Sequence, residues 1–121
     1  MLLVIAVGGV LGSLARYGVA VAMGDWDAAS LPWATLTVNL VGCLLIGILG
    51  TRLVGAERPW ARPFLLTGVL GGFTTFSAFA LETGVLLDAG RWAIAAAYVL
   101  ATMVLGLLAV RLGMAVAGRP A

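Results

Sequence analysis

Eight polar side chains interrupt long apolar stretches: Arg16, Asn39, Thr74, Thr75, Ser77, Glu82, Tyr98 and Thr102. Their types limit the chemistry available. The chain has no His, all seven of its basic residues are Arg, and no two acids fall together inside an apolar stretch. Imidazole or zinc chemistry and nucleophile–base catalysis therefore lack the residues they need, and the chain does not read as an enzyme. What the set offers is a carboxamide, several hydroxyls and two aromatic rings. Phe76 and Phe79 lie three apart and share a helix face with Glu82. Aromatic ring edges carry positive potential, so edges and neutral donors together suit a small anion that sheds part of its water in a narrow passage. A ring of full cations would hold the same ion too tightly to release it. Tyr98 and Thr102 extend the pattern at four-residue spacing, but the next position on their face is Gly106, so the polar stripe ends early. Asn39 is equally suited to bonding two helices together, and a Phe pair at this spacing to core packing. Residue types alone leave an ion-conducting bundle and a structural bundle both open.

The elements that must position these groups follow from composition. Of 121 residues, 63% are hydrophobic and 10% charged, with a mean hydropathy of +1.15. A soluble domain carries roughly 25% charged residues. The chain is thus an all-α integral membrane protein, expected in the cell membrane with the lipid bilayer as its surroundings. Hydropathy divides it into four spans at about 2–23, 33–51, 63–87 and 92–116, forming a single domain over residues 1–121. Each span is near the ~20 residues that cross ~30 Å of hydrocarbon. Ala20-Val21-Ala22 resembles a leader cleavage site, but no basic residue precedes the first span and Arg16 interrupts it, so the span reads as a retained helix. Cys43, within an apolar run, reads as a packing residue.

Connections are short. Gly24-Asp25-Trp26-Asp27 is acidic, Arg52 to Arg62 holds three Arg and one Glu with Pro59 as a breaker before Pro63, and Asp88-Ala89-Gly90-Arg91 is a tight turn. None has room for a soluble domain, so function lies within or between the helices. The pI near 9.3 does not imply a nucleic-acid partner, because the Arg residues are spread singly along the chain. Arg52, Arg58, Arg62, Arg111 and Arg119 would gather on one side of the membrane against Arg91 and at most Arg16 on the other, which favours cytoplasmic termini.

The third span contains Gly71-Gly72-Phe73-Thr74-Thr75-Phe76-Ser77-Ala78-Phe79, poor material for an unbroken helix. An unsatisfied backbone group inside a bilayer costs several kcal/mol, so a break at this depth is either a tolerated kink or a device that aims freed carbonyls at a partner. Small residues recur four apart at Gly8 and Gly12, Gly9 and Ser13, and Gly68 and Gly72. Such faces allow close helix approach, within one bundle or between subunits.

Three motifs, in this order, resemble the fluoride channels of the Fluc (CrcB) family: GGVLGSLARY at residues 8–17, TVNLVG at 37–42, and GVLGGFTTFSAF at 68–79 followed by Glu82. The resemblance extends over essentially the whole chain. It implies a third helix broken near its middle and an antiparallel, dual-topology dimer with two fluoride pathways and a structural sodium ion at its centre. The carbonyls of Gly71 and Thr74 from both subunits would hold that sodium. Asn39 would donate to fluoride, Phe76 and Phe79 would face it edge-on, and Thr75, Ser77, Tyr98 and Thr102 would supply hydroxyls. Arg16 and Glu82 would position anions near a vestibule, although Arg16 is also placed to snorkel to the interface. Passive conduction would suffice for export, because acid surroundings drive HF inward to dissociate and trap fluoride in the cell. The departures are Ala78 and Gly106, where the family usually offers hydroxyls, and the Arg asymmetry, which is awkward for an antiparallel homodimer and natural for a chain paired with an oppositely oriented homologue, so homodimer and heterodimer both stay open. The rival readings are a four-helix multidrug exporter, which needs a first-span carboxylate where this chain has Arg16, and a non-transporting structural subunit, which leaves the third-span motif unexplained.

Overall fold

The computed structural model describes residues 1–118; Arg119, counted above with the basic side, lies outside the described residues. The helices are α1 (Leu2–Met23), α2 (Trp33–Arg52), α3, α4 (Phe76–Asp88) and α5 (Trp92–Ala117). Helix α3 begins as the π-helical segment Pro63–Leu70 and continues as Gly71–Phe73. Together α3 and α4 form the third of four segments long and apolar enough to cross a membrane, so the chain is a multi-pass membrane protein. Pro63 opens α3 at a position where its missing N–H costs nothing. Gly24 and Gly90 let the chain turn with φ of 80° and 72° after α1 and α4.

The spans pair in parallel and not as hairpins. Helix α1 runs alongside α3, and α2 alongside α5, the two pairs pointing in opposite directions. Glycines set both seams. A Cβ on Gly8 would come within 2.6 Å of Phe64 O, and one on Gly68 within 2.8 Å of Ile5 O. Gly12 is pressed onto the backbone of Val69, and Gly72 onto that of Gly9. The four-residue small motifs at 8/12 and 68/72 therefore pack against each other within one chain. Gly47 and Gly113 play the same part between α2 and α5, meeting the carbonyls of Val110 and Leu44. Lipid tails are as apolar as Leu, so close backbone contact and interhelical hydrogen bonds hold such helices together.

Among the described residues the side-chain core lies toward one end. Leu36, Phe79, Leu86, Ala95 and Tyr98 pack there, covered by Trp26 and Leu31 from the first connection. That connection is shaped locally: Asp27 Oδ1 accepts from Ala29 N at 2.8 Å, and Trp26 Nε1 donates to Ser30 O at 2.8 Å.

Candidate functional site

Helical backbone stops at Phe73 and restarts at Phe76. Between them Thr74 (φ −80°, ψ 156°) and Thr75 (φ −151°, ψ 116°) are extended. The polar residues around this interruption account for most of the peptide groups it frees. Thr75 is the N-cap of α4, its Oγ1 accepting from Ala78 N at 3.2 Å, an arrangement worth about 1 kcal/mol. Only the backbone of residue 78 enters the cap, so Ala serves there. Thr74 folds back, its N and its Oγ1 each donating to Leu70 O at 3.0 Å. Its methyl group lies where a side chain at residue 42 would be, which requires Gly42 on α2.

Two neighbours complete the arrangement. From α2, Asn39 pairs with one peptide unit in both directions: Nδ2 donates to Thr75 O at 2.9 Å, and Thr75 N donates to Oδ1 at 2.8 Å. From α1, Arg16 Nε donates to Gly72 O at 3.1 Å. Arg16 thus reaches into the bundle and tethers the end of α3. Among the described residues, no hydrogen bond reaches the carbonyl oxygens of Gly71 or Thr74. Gly71 is exposed, and a Cβ there would find its nearest neighbour, Leu66 O, at 3.9 Å, so no packing within the chain demands glycine.

A cavity of about 420 Å³ lies between α2, the interruption and α5. Asn39, Gly71, Thr74, Thr75, Phe76, Phe79 and Thr102 all line it, so seven of the singled-out positions converge. Thr102 Oγ1 is buried and has no hydrogen-bond partner. Cys43, half-buried, also faces the cavity, and its Sγ is 3.6 Å from where a Cβ of Gly106 would be. Phe76 is 74% exposed, whereas Phe79 is buried. Their ring centroids are 5.5 Å apart, and the Phe79 ring meets that of Tyr98 edge-on at 5.0 Å and 64°.

Tyr98, Glu82, Ser77 and Arg16 do not line this cavity. Tyr98 is fully buried and donates its hydroxyl to Glu82 Oε2 at 2.6 Å, while Thr35 Oγ1 donates to Oε1 at 2.6 Å. One carboxylate thus ties α4 to both α2 and α5 behind Phe79. Arg16 and Glu82, grouped together from the sequence, make separate contacts, with Gly72 and with Thr35 and Tyr98. Ser77 is exposed, its Oγ 3.3 Å from Thr75 Oγ1. Thr35 is the functional candidate that the sequence reading passed over. Its signal was present, since it precedes Asn39 by four residues and so shares that residue's helix face.

The family model for CrcB-like protein, Camphor Resistance (CrcB), matches residues 3–114. A fluoride-specific ion channel FluC of Paracoccus denitrificans is 50% identical over 112 residues, covering 93% of this chain and 90% of the relative. The protein of the same name from Rhodospirillum centenum is 44% identical, covering 95% and 93%, and that from Thermus thermophilus 47% identical, covering 96% and 92%. With four membrane-crossing segments, an Asn-clamped interruption in the third and near-complete alignment to these relatives, the chain belongs to the CrcB-like family.

Proposed function

We propose that this chain conducts fluoride passively and selectively across the cell membrane, lowering cytoplasmic fluoride, and that it does so paired antiparallel with a second copy or an oppositely oriented homologue. The observation that carries this reading is the convergence of Asn39, Phe76, Phe79 and Thr102 on one cavity, in a chain whose 44–50% identical relatives are named fluoride-specific channels. No Arg lines that cavity, so an anion inside would be solvated without being trapped. Asn39 spends one amide hydrogen on Thr75 O and keeps the second for an ion. The Thr102 hydroxyl has no competing partner, and the edges of Phe76 and Phe79 supply partial positive charge. Thr75 and Ser77 extend the hydroxyls toward the exposed side. Tyr98 already donates its hydroxyl to Glu82, so on this reading both stand behind Phe79, with the Tyr98 ring supporting that of Phe79.

The pairing rests on the free carbonyls of Gly71 and Thr74. Lipid cannot donate to them, so protein or a bound cation must cover this face. Both are oxygen ligands of the kind a hard cation takes, and Gly71 leaves space beside them. Two carbonyls are too few for one ion, which is why the partner's equivalents are needed to complete a structural sodium site. Bound there, sodium would neutralise the converging carbonyl dipoles and hold the two chains together.

Fluoride efflux from liposomes containing the purified chain, followed with a fluoride electrode, tests the reading. Efflux that chloride does not match is expected, with Phe76→Ile reducing it while the fold is kept. No efflux either alone or with a homologous partner would refute conduction, and wild-type efflux in Phe76→Ile would refute the pore assignment.

A further inference from the structure

Arg residues spread singly along the sequence are brought to one end of the bundle by the parallel pairing of the helices. Arg52, Arg58 and Arg62 stand on the connection between α2 and α3, and Arg111 is on α5, whose C-terminal end lies beside that of α2. All four are exposed. Among the described residues their contacts supply no counter-charge: Arg58 lies over the Trp60 ring at 5.9 Å, and Arg62 Nη1 donates to Leu53 O at 3.4 Å. The connection has one acid, Glu57, against its three Arg, whereas the opposite end carries Asp25, Asp27 and Asp88. The same connection also exposes apolar surface. Val54 is 56% and Trp60 44% accessible, and Trp60 is held in place by edge contact with Phe64 at 6.1 Å. Free guanidiniums beside an anchored indole at a helix end form a surface suited to the headgroup region, where the ring sits at the boundary and the cations meet phosphate.

We infer that the connection bearing Arg52, Arg58 and Arg62 is a binding surface for anionic phospholipid, with Trp60 set into the boundary and the guanidiniums on the headgroup phosphates. Arg111 adds to the field from α5. The exposed apolar side chains select a lipid over free phosphate, because water-borne phosphate gains nothing from Val54 or Trp60. The inference is independent of fluoride conduction.

Native mass spectrometry of the detergent-solubilised full chain, offered phosphatidylglycerol and phosphatidylcholine with matched acyl chains, tests it. The wild type retains phosphatidylglycerol in preference. Each Arg removed weakens that preference roughly fivefold, so R52Q/R58Q/R62Q loses it by on the order of a hundredfold. Arg91→Gln, at the opposite end, keeps it. Should the triple variant fail to fold, Arg58→Gln alone reads the roughly fivefold step. Equal retention of the two lipids by the wild type, or an undiminished preference in the Arg variants, overturns the proposal. Inorganic phosphate that binds without lipid, with the same dependence on these Arg, overturns the lipid assignment.

Discussion

Replacing Asn39 with Leu keeps much of the side-chain volume while removing both hydrogen bonds to the Thr75 peptide. Those bonds measure 2.9 and 2.8 Å and are the partners given to Thr75 O and Thr75 N. Two effects bound the loss. Interhelical hydrogen bonds in membranes average ~0.6 kcal/mol each, because an unfolded helix in lipid also finds partners. A buried backbone group left wholly unsatisfied costs ~1–3 kcal/mol. Both Thr75 groups lose their partner at once, and the extended backbone there has no helical register to fall back on without unmaking the Thr75 cap. The second effect therefore dominates, and the two groups together destabilise the interruption by about 2–6 kcal/mol, or at least roughly 30-fold in the population of its native geometry. Hydrogen exchange at the Thr75 amide in detergent or nanodiscs reads this directly and should accelerate by that factor, while amides of α2 and α5 stay protected. Fluoride efflux should fall at least as far, since the second amide hydrogen of Asn39 is lost as well. Unchanged exchange at Thr75 in Asn39→Leu would refute the clamp. Accelerated exchange with wild-type efflux would show that the clamp shapes the backbone without serving the ion.

The glycine seam predicts a contrast between positions three apart on α1: Gly12→Ala, pressed onto Val69, should cost about 1–3 kcal/mol in denaturant titration, whereas Gly9→Ala, with nothing within 4 Å, should be neutral or mildly stabilising. Arg16→Lys keeps the charge but loses the Nε bond to Gly72 O, so reduced efflux is expected; wild-type efflux with Lys would show that charge alone matters. Thr35→Val and Tyr98→Phe each strip one donor from Glu82, and a double-mutant cycle on thermal stability should show non-additivity of at least ~0.5 kcal/mol, additive losses refuting a shared carboxylate. Thr75→Val removes the α4 cap and should cost about 1 kcal/mol, seen as faster exchange at Ala78.

Much of this architecture was legible because the bilayer imposes a length. Four apolar stretches near ~20 residues leave little freedom in placing helices; hydropathy puts the second at about 33–51, and the helix covers Trp33–Arg52. The cluster of Asn39, Phe79, Thr75 and Thr102 could be nominated because polar groups in apolar runs are conspicuous. Pairing was less accessible. Gly8 and Gly68 carry a visible four-residue motif, but the motif does not say which surface it meets. Gly47 stands four from Thr51 and Gly113 four from Ala109 and Ala117, but only the parallel arrangement of α2 and α5 brings the two glycines together. The contact of Arg16 with Gly72 spans 56 residues of sequence, so its tethering role could not be separated from snorkelling beforehand. Nothing in the hydropathy pattern signals the π-helical Pro63–Leu70, because apolar residues there satisfy either winding.

The parallel seams have a consequence for biogenesis. A chain entering the bilayer in order from its N-terminus would offer α1 no glycine-seam partner until α3 arrives, and α2 none until α5 arrives. After two spans have been inserted, Gly8, Gly12 and Gly47 would still face lipid, leaving grooves that acyl chains fill poorly. Assembly would then close in two late steps, and a truncated or stalled chain would display the unfilled grooves and the unmet Arg16 by which membrane quality control could recognise it.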